Sequence, residues 1–172
     1  MVMDIEAQGG SAVGHLVNLV EPGAIETLAA EAEKMGPVQV VVFNLGAQIG
    51  SKALSDTSLK QFELGWRMAC LGLFRAAQAL VPFMLQRGQG CFLVTSSTAA
   101  LRGNAGQHSH AAAMGGRRML CQSLNAELAP CLGPPTTARR RQAGHPRGAH
   151  RRGRHGGRAR HPGPHAGCGE LL

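Results

Sequence analysis

The chain has 172 residues and a formal net charge of +8 at pH 7, enough length for one domain with a packed core. Residues 1–130 carry nine basic and nine acidic side chains, whereas from Cys131 onward nine arginines face a single acid, Glu170. A uniformly basic fold is excluded; the positive charge belongs to a tail.

Five cysteines, Cys70, Cys91, Cys121, Cys131 and Cys168, show no C-x-x-C spacing. The opening MVMDIEAQGG carries acids where a secretory signal needs a basic start and an apolar run. Both point to free thiols in a reducing, cytoplasmic setting.

In chain order, SAVGHLVN over 11–18 reads as a short strand. Pro22 opens a helix with Ile25, Leu28, Ala29, Ala32 and Met35 on one face, and Gly36-Pro37 stops it. VQVVVFN, Val38 to Asn44, is a β-branched run suited to a strand buried on both faces of a parallel sheet. A long helix follows from about Ser58 to Gln86, with Phe62, Trp66, Cys70, Leu73, Ala77, Leu80 and Met84 at three- and four-residue spacing. Within it, Met68 to Leu85 is apolar enough to raise a membrane span, but Arg75 and Gln78 near its middle favour a buried amphipathic helix and no membrane. CFLVTSS, Cys91 to Ser97, reads as the next strand, and Ala111 to Leu128 as the next helix. Gly115-Gly116 weakens that helix by about 1 kcal/mol per glycine relative to alanine.

Alternating strands and helices predict an α/β sheet with crossover helices. From residue 131 the chain is built almost entirely of Arg, Gly, His, Pro and Ala, too poor in apolar surface to offset its ordering entropy. The expected organisation is a folded domain over 1–130 and a disordered tail over 131–172.

Several short stretches carry a resemblance. AVGHLVN ends in Asn18; VVFNLGA holds Asn44 and Gly46; ACLGLF holds Ala69; LVTSSTAALRG holds Ser97; SLNAELAP closes the last helix. Together they resemble the central segment of the short-chain dehydrogenase/reductase family, over about residues 5–130. The resemblance implies a truncated Rossmann-like, doubly wound parallel sheet in three α/β/α layers, retaining the strands equivalent to the family's third, fourth and fifth. It also implies NAD or NADP as cofactor, with Asn18 at the adenine and Asn44 and Gly46 beside the coenzyme. A homodimer through helices 62–85 and 111–128 is implied as well.

The resemblance also places the catalytic positions. Thirteen residues after Ser97, where the family has its acid–base Tyr, stands His110, and four further on, at its Lys, stands Met114. Ala69 takes the place of the Asn that supports a proton-relay water. Ser97 can polarise a carbonyl, and His110 can shuttle a proton. Met114 offers neither positive charge nor a hydrogen-bond donor. The glycine-rich phosphate turn belongs to the family's first strand–helix unit and is expected to be missing; GGSAVG at 9–14 has no strand before it and no long helix after it. The expected function is therefore an oxidoreductase-like frame, descended from NAD(P)-dependent carbonyl and alcohol oxidoreduction, that is catalytically inactive.

Other readings are weaker. Ser97 with His108 or His110 could suggest a hydrolase, but there is no G-x-S-x-G elbow and neither Asp4 nor Asp56 is an obvious third member. The tail histidines are too dispersed for a structural zinc site. The tail arginines suit nonspecific nucleic-acid or other polyanion binding, without the interleaved aromatics that read bases.

Overall fold

A computed structural model describes residues 2–46 and 50–132. The expected tail, from Gly133 onward, lies outside the described residues. The elements are α1 (Val2–Ala7), α2 (Ala24–Met35), β1 (Val40–Phe43), α3 (Leu59–Trp66), a π turn (Arg67–Leu71), α4 (Gly72–Arg87), β2 (Cys91–Val94) and α5 (His108–Leu132). Short 3-10 turns occupy Leu54–Asp56 and Thr98–Ala100.

β1 and β2 pair in parallel, Val40 opposite Cys91 through Phe43 opposite Val94. The crossover between them is the continuous 29-residue helix Leu59–Arg87. Its start is fixed by a capping box: the Gln61 N–H donates to Ser58 Oγ (3.3 Å), and the Ser58 N–H donates to Gln61 Oε1 (3.4 Å). Its end is set by Gly88 at φ +66, whose N–H donates to the Leu85 carbonyl while the Gln89 N–H donates to that of Met84. By length and composition this is the one helix among the described residues that could cross a membrane. Here it is a packed helix, with Ala69, Leu73, Ala76, Ala77, Leu80 and Met84 buried.

The core joins Ile25 of α2, Phe43 of β1, and Leu73 and Ala76 of α4; Phe92, Val94, Leu120 and Cys121 pack against them. Helices α2, α4 and α5 thus cover one face of the parallel pair, while Val40, Val42 and Leu93 on the other face are more than half exposed, so β1 is buried on one face and not on both as its β-branched run predicts. Two ion pairs staple α2 to α4: Arg75 grips Glu26 through two nitrogens (2.9 and 2.8 Å), and Arg87 grips Glu33 likewise (2.9 and 3.1 Å).

The α/β Rossmann-like class holds, with differences in the elements. Residues 11–18 form no strand; they run as irregular chain, with Leu16 fully exposed. Among the described residues β1 pairs with β2 alone, so no neighbouring strand receives this segment's N–H and C=O groups, and an unpaired strand is not stable in water. The short helix α1, unexpected from the sequence, precedes it. The last helix begins three residues earlier than expected and runs to Leu132, so Cys131 belongs to the domain's final turn.

Candidate active site

Because the strands are parallel, the loops after β1 and β2 leave the sheet at the same end, where open α/β sheets gather functional groups. The first turn of α5 meets them there. Ser97 Oγ lies 3.2 Å from His110 Nε2, so the structure brings together the two residues expected to retain chemistry.

The pair is held by backbone. Ser97 precedes the Thr98–Ala100 turn, whose Ala100 N–H donates to the Ser97 carbonyl (3.0 Å). The start of α5 is anchored by Ser109, whose hydroxyl is placed to donate to the Gln61 and Phe62 carbonyls of α3 (3.2 and 3.3 Å). Gly106, at φ +72, closes the preceding loop; its carbonyl accepts from the Lys52 N–H, and a Cβ there would lie 2.5 Å from Ser51 Oγ.

His110 Nδ1 is buried and has no hydrogen-bond partner. An orphaned buried N–H is costlier and rarer than an orphaned lone pair. The geometry therefore favours the tautomer with the proton on Nε2, donating to Ser97 Oγ. In that arrangement Ser97 Oγ accepts from the imidazole, which does not withdraw the serine proton, so Ser97 keeps its own O–H to donate elsewhere and is not an activated nucleophile.

The remaining expected residues divide. Asn44 directly follows β1, and its Oδ1 accepts from Thr95 Oγ1 (2.8 Å), which ties the two strand-end loops together. Gly46 lies in the same loop, exposed, with open space where a Cβ would be. Asn18 is in a turn before α2 rather than at a strand end; its amide donates to Glu21 (3.1 Å) and its Oδ1 accepts from the Val20 N–H (3.3 Å). Ala69 and Met114 meet in one buried cluster with Ala113, flanked by Ala99 and Ala100. Met114 is 3% exposed, so its thioether is a packing group.

One residue escaped the sequence reading. Arg117, one turn beyond Met114, is 2% exposed. Its Nε donates to the Ala69 carbonyl (2.9 Å), Nη1 to that of Thr95 (2.9 Å) and Nη2 to that of Leu45. Its guanidinium also stands 5.2 Å from the centre of the Phe43 ring. Desolvation pulls its pKa below the usual arginine value, against the opposing pull of Cys121 and Cys70, yet a guanidinium stays charged in proteins. The signal in the sequence was a lone arginine on the apolar stripe Ala113, Met114, Leu120, Cys121, since buried charges are rare without a purpose. Burial pushes the Cys70 and Cys121 thiols up, an effect the nearby Arg117 charge only partly offsets.

The sequence model of the short chain dehydrogenase family matches residues 1–131. The chain is 32% identical over 128 residues to the mouse peroxisomal multifunctional enzyme type 2, covering 74% of this chain and 17% of that protein. It is 29% identical over 129 residues to an uncharacterised NAD-dependent oxidoreductase of Mycobacterium tuberculosis, covering 74% and 46%. Among solved structures, a short-chain dehydrogenase from Rhodopseudomonas palustris superposes with a TM-score of 0.72 at 32% identity, covering 75% of this chain and 60% of that one. A 3-oxoacyl (acyl-carrier-protein) reductase from Agrobacterium tumefaciens with NADP bound superposes at 0.70 with 27% identity, covering 74% and 49%. The chain spans less than half the length of these two curated relatives. With the family match, the parallel pair and the Ser97 strand end in agreement, this chain belongs to the short-chain dehydrogenase family.

Proposed function

We propose that this chain keeps the short-chain dehydrogenase frame around Ser97 but does not carry out NAD(P)-dependent oxidoreduction of carbonyls and alcohols. The observation that carries the reading is Met114, packed at 3% exposure among alanines where the resemblance places a lysine ammonium. A thioether supplies neither the charge nor the donor that holds a nicotinamide ribose. The nearest cation on the same helix, Arg117, is committed to three backbone carbonyls. The Asn18 amide is engaged within its own turn. The residues present therefore do not fit a nicotinamide dinucleotide, and no hydride-transfer step is assigned to them. Ser97 and His110 remain a hydrogen-bonded pair in which the Ser97 hydroxyl is free to donate toward a polar ligand.

The test is a coenzyme-oxidation assay on the full chain with NADH and NADPH and a panel of aldehydes and ketones. The expected result is no turnover above the uncatalysed rate. Coenzyme-dependent turnover that His110→Ala abolishes would overturn the reading.

A second reading is supported by the charge distribution: nine arginines and one acid after residue 130 suit a polyanion, including nucleic acid. It requires that affinity reside in 131–172 and fall steeply with salt. The exposed apolar side chains Phe62, Trp66 and Met119 support a homodimer through α3–α4 and α5. Cys70, Cys91 and Cys121 carry the free thiols expected of a cytoplasmic setting, whereas Cys131 is disulfide-bonded and departs from that expectation.

A further inference from the structure

We infer that Arg117 is the positioning residue of this site: its single buried guanidinium ties the Leu45, Ala69 and Thr95 carbonyls together and so fixes both strand-end loops and the π turn against α5. The three acceptors lie 72, 48 and 22 residues away in sequence, so no local structure would hold them together. Each adjoins a residue of the site. Leu45 sits between Asn44 and Gly46, Ala69 packs against Met114, and Thr95 both bonds Asn44 and leads to Ser97.

The π turn supplies a physical need for the clamp. In Arg67–Leu71 the helical bonds slip from four residues to five, and the Ala69 carbonyl within that turn accepts from Arg117 Nε. The Leu45 and Thr95 carbonyls lie just beyond the two strands and receive Nη2 and Nη1. An aliphatic side chain at 117 would suit the neighbouring stripe but would leave three carbonyls without this donor. The guanidinium has no carboxylate partner among the described residues, so its burial is compensated by backbone oxygens and the Phe43 ring. This inference rests on geometry alone and stands whether or not the chain binds a coenzyme.

The test is an NMR comparison of the full chain with Arg117→Met, Arg117→Lys and the core control Leu73→Ala. Arg117→Met should shift the carbonyl carbon signals of Leu45, Ala69 and Thr95 together and displace the ring signals of His110. It should also speed amide exchange across Cys70–Gly72 by roughly tenfold or more, the scale expected when a buried carbonyl loses its donor. Arg117→Lys, with charge but fewer donors, should restore part of each change. Leu73→Ala should loosen α4 and both strands while leaving the His110 signals in place. An Arg117→Met pattern identical to that of Leu73→Ala, or unmoved His110 signals, would overturn the inference. If Arg117→Met does not fold, Arg117→Lys decides: displaced carbonyl and His110 signals support the inference, and wild-type signals refute it.

Discussion

Among the described residues, three arginines cross-link helices, and they do so in two different ways. Along the α2–α4 seam, Arg75 grips Glu26, whose side chain is 48% exposed, and Arg87 grips Glu33, whose side chain is 12% exposed and also accepts from the Val38 N–H. At the strand ends, Arg117 is buried and meets only backbone carbonyls and an aromatic ring. Water can replace much of what the Arg75–Glu26 pair supplies, so removing it costs little, while the Arg87–Glu33 pair lies further from water and costs more. Nothing replaces a guanidinium inside the fold, and each carbonyl it leaves bears its own desolvation cost. The seam is held by two separate pairs; at the site frame one side chain makes three cross-links at once.

That contrast is most easily broken at Arg117. Arg117→Met should lower unfolding stability by about 3–5 kcal/mol in a urea titration, the range for orphaning several buried polar groups. A loss below about 1 kcal/mol would show that water or a neighbouring group takes over. Leu73→Ala, which removes a side chain only 1% exposed from the core, should cost about 2–4 kcal/mol through lost transfer and a residual cavity.

The seam should respond to acid and to loss of a carboxylate in the same sense. Arg75 and Arg87 hold the Glu26 and Glu33 carboxyls below the ordinary value of 4.5. Both carboxylates therefore stabilise the fold above about pH 4.5, and that contribution disappears as pH falls through their lowered folded values. Glu26→Gln and Glu33→Gln should flatten this part of the stability–pH curve and lower neutral-pH stability by what the wild type loses on acidification, less at the exposed Glu26 than at Glu33, whose side chain is 12% exposed. The thiols give the finest distinction. With burial raising Cys70 and Cys121, both should alkylate more slowly in the folded chain than in urea at neutral pH.

The parts legible in the sequence are those with local causes. The three- and four-residue spacing from Phe62 to Met84 gave the long crossover helix, and the β-branched run before Asn44 gave β1. The Ser97-to-His110 interval was readable through the family resemblance, whose Ser–Tyr spacing it keeps, and the two side chains do meet. Residues 11–18 failed because a strand is a relation between two backbones, and Val13, Leu16 and Val17 do not reveal whether a neighbour exists. The π turn and the Arg117 clamp failed for a similar reason. Their hydrogen bonds run to carbonyls far away in sequence, and carbonyls are common to every residue. A charged side chain on an apolar stripe was the only trace they left.

The central claim is that a buried thioether at 114, with Arg117 committed to the backbone, leaves the coenzyme's ribose ungripped. Calorimetric titration of the full chain with NADH and with NADPH tests it directly. The account predicts no saturable, stoichiometric heat for either coenzyme. A one-to-one isotherm with micromolar affinity would contradict it.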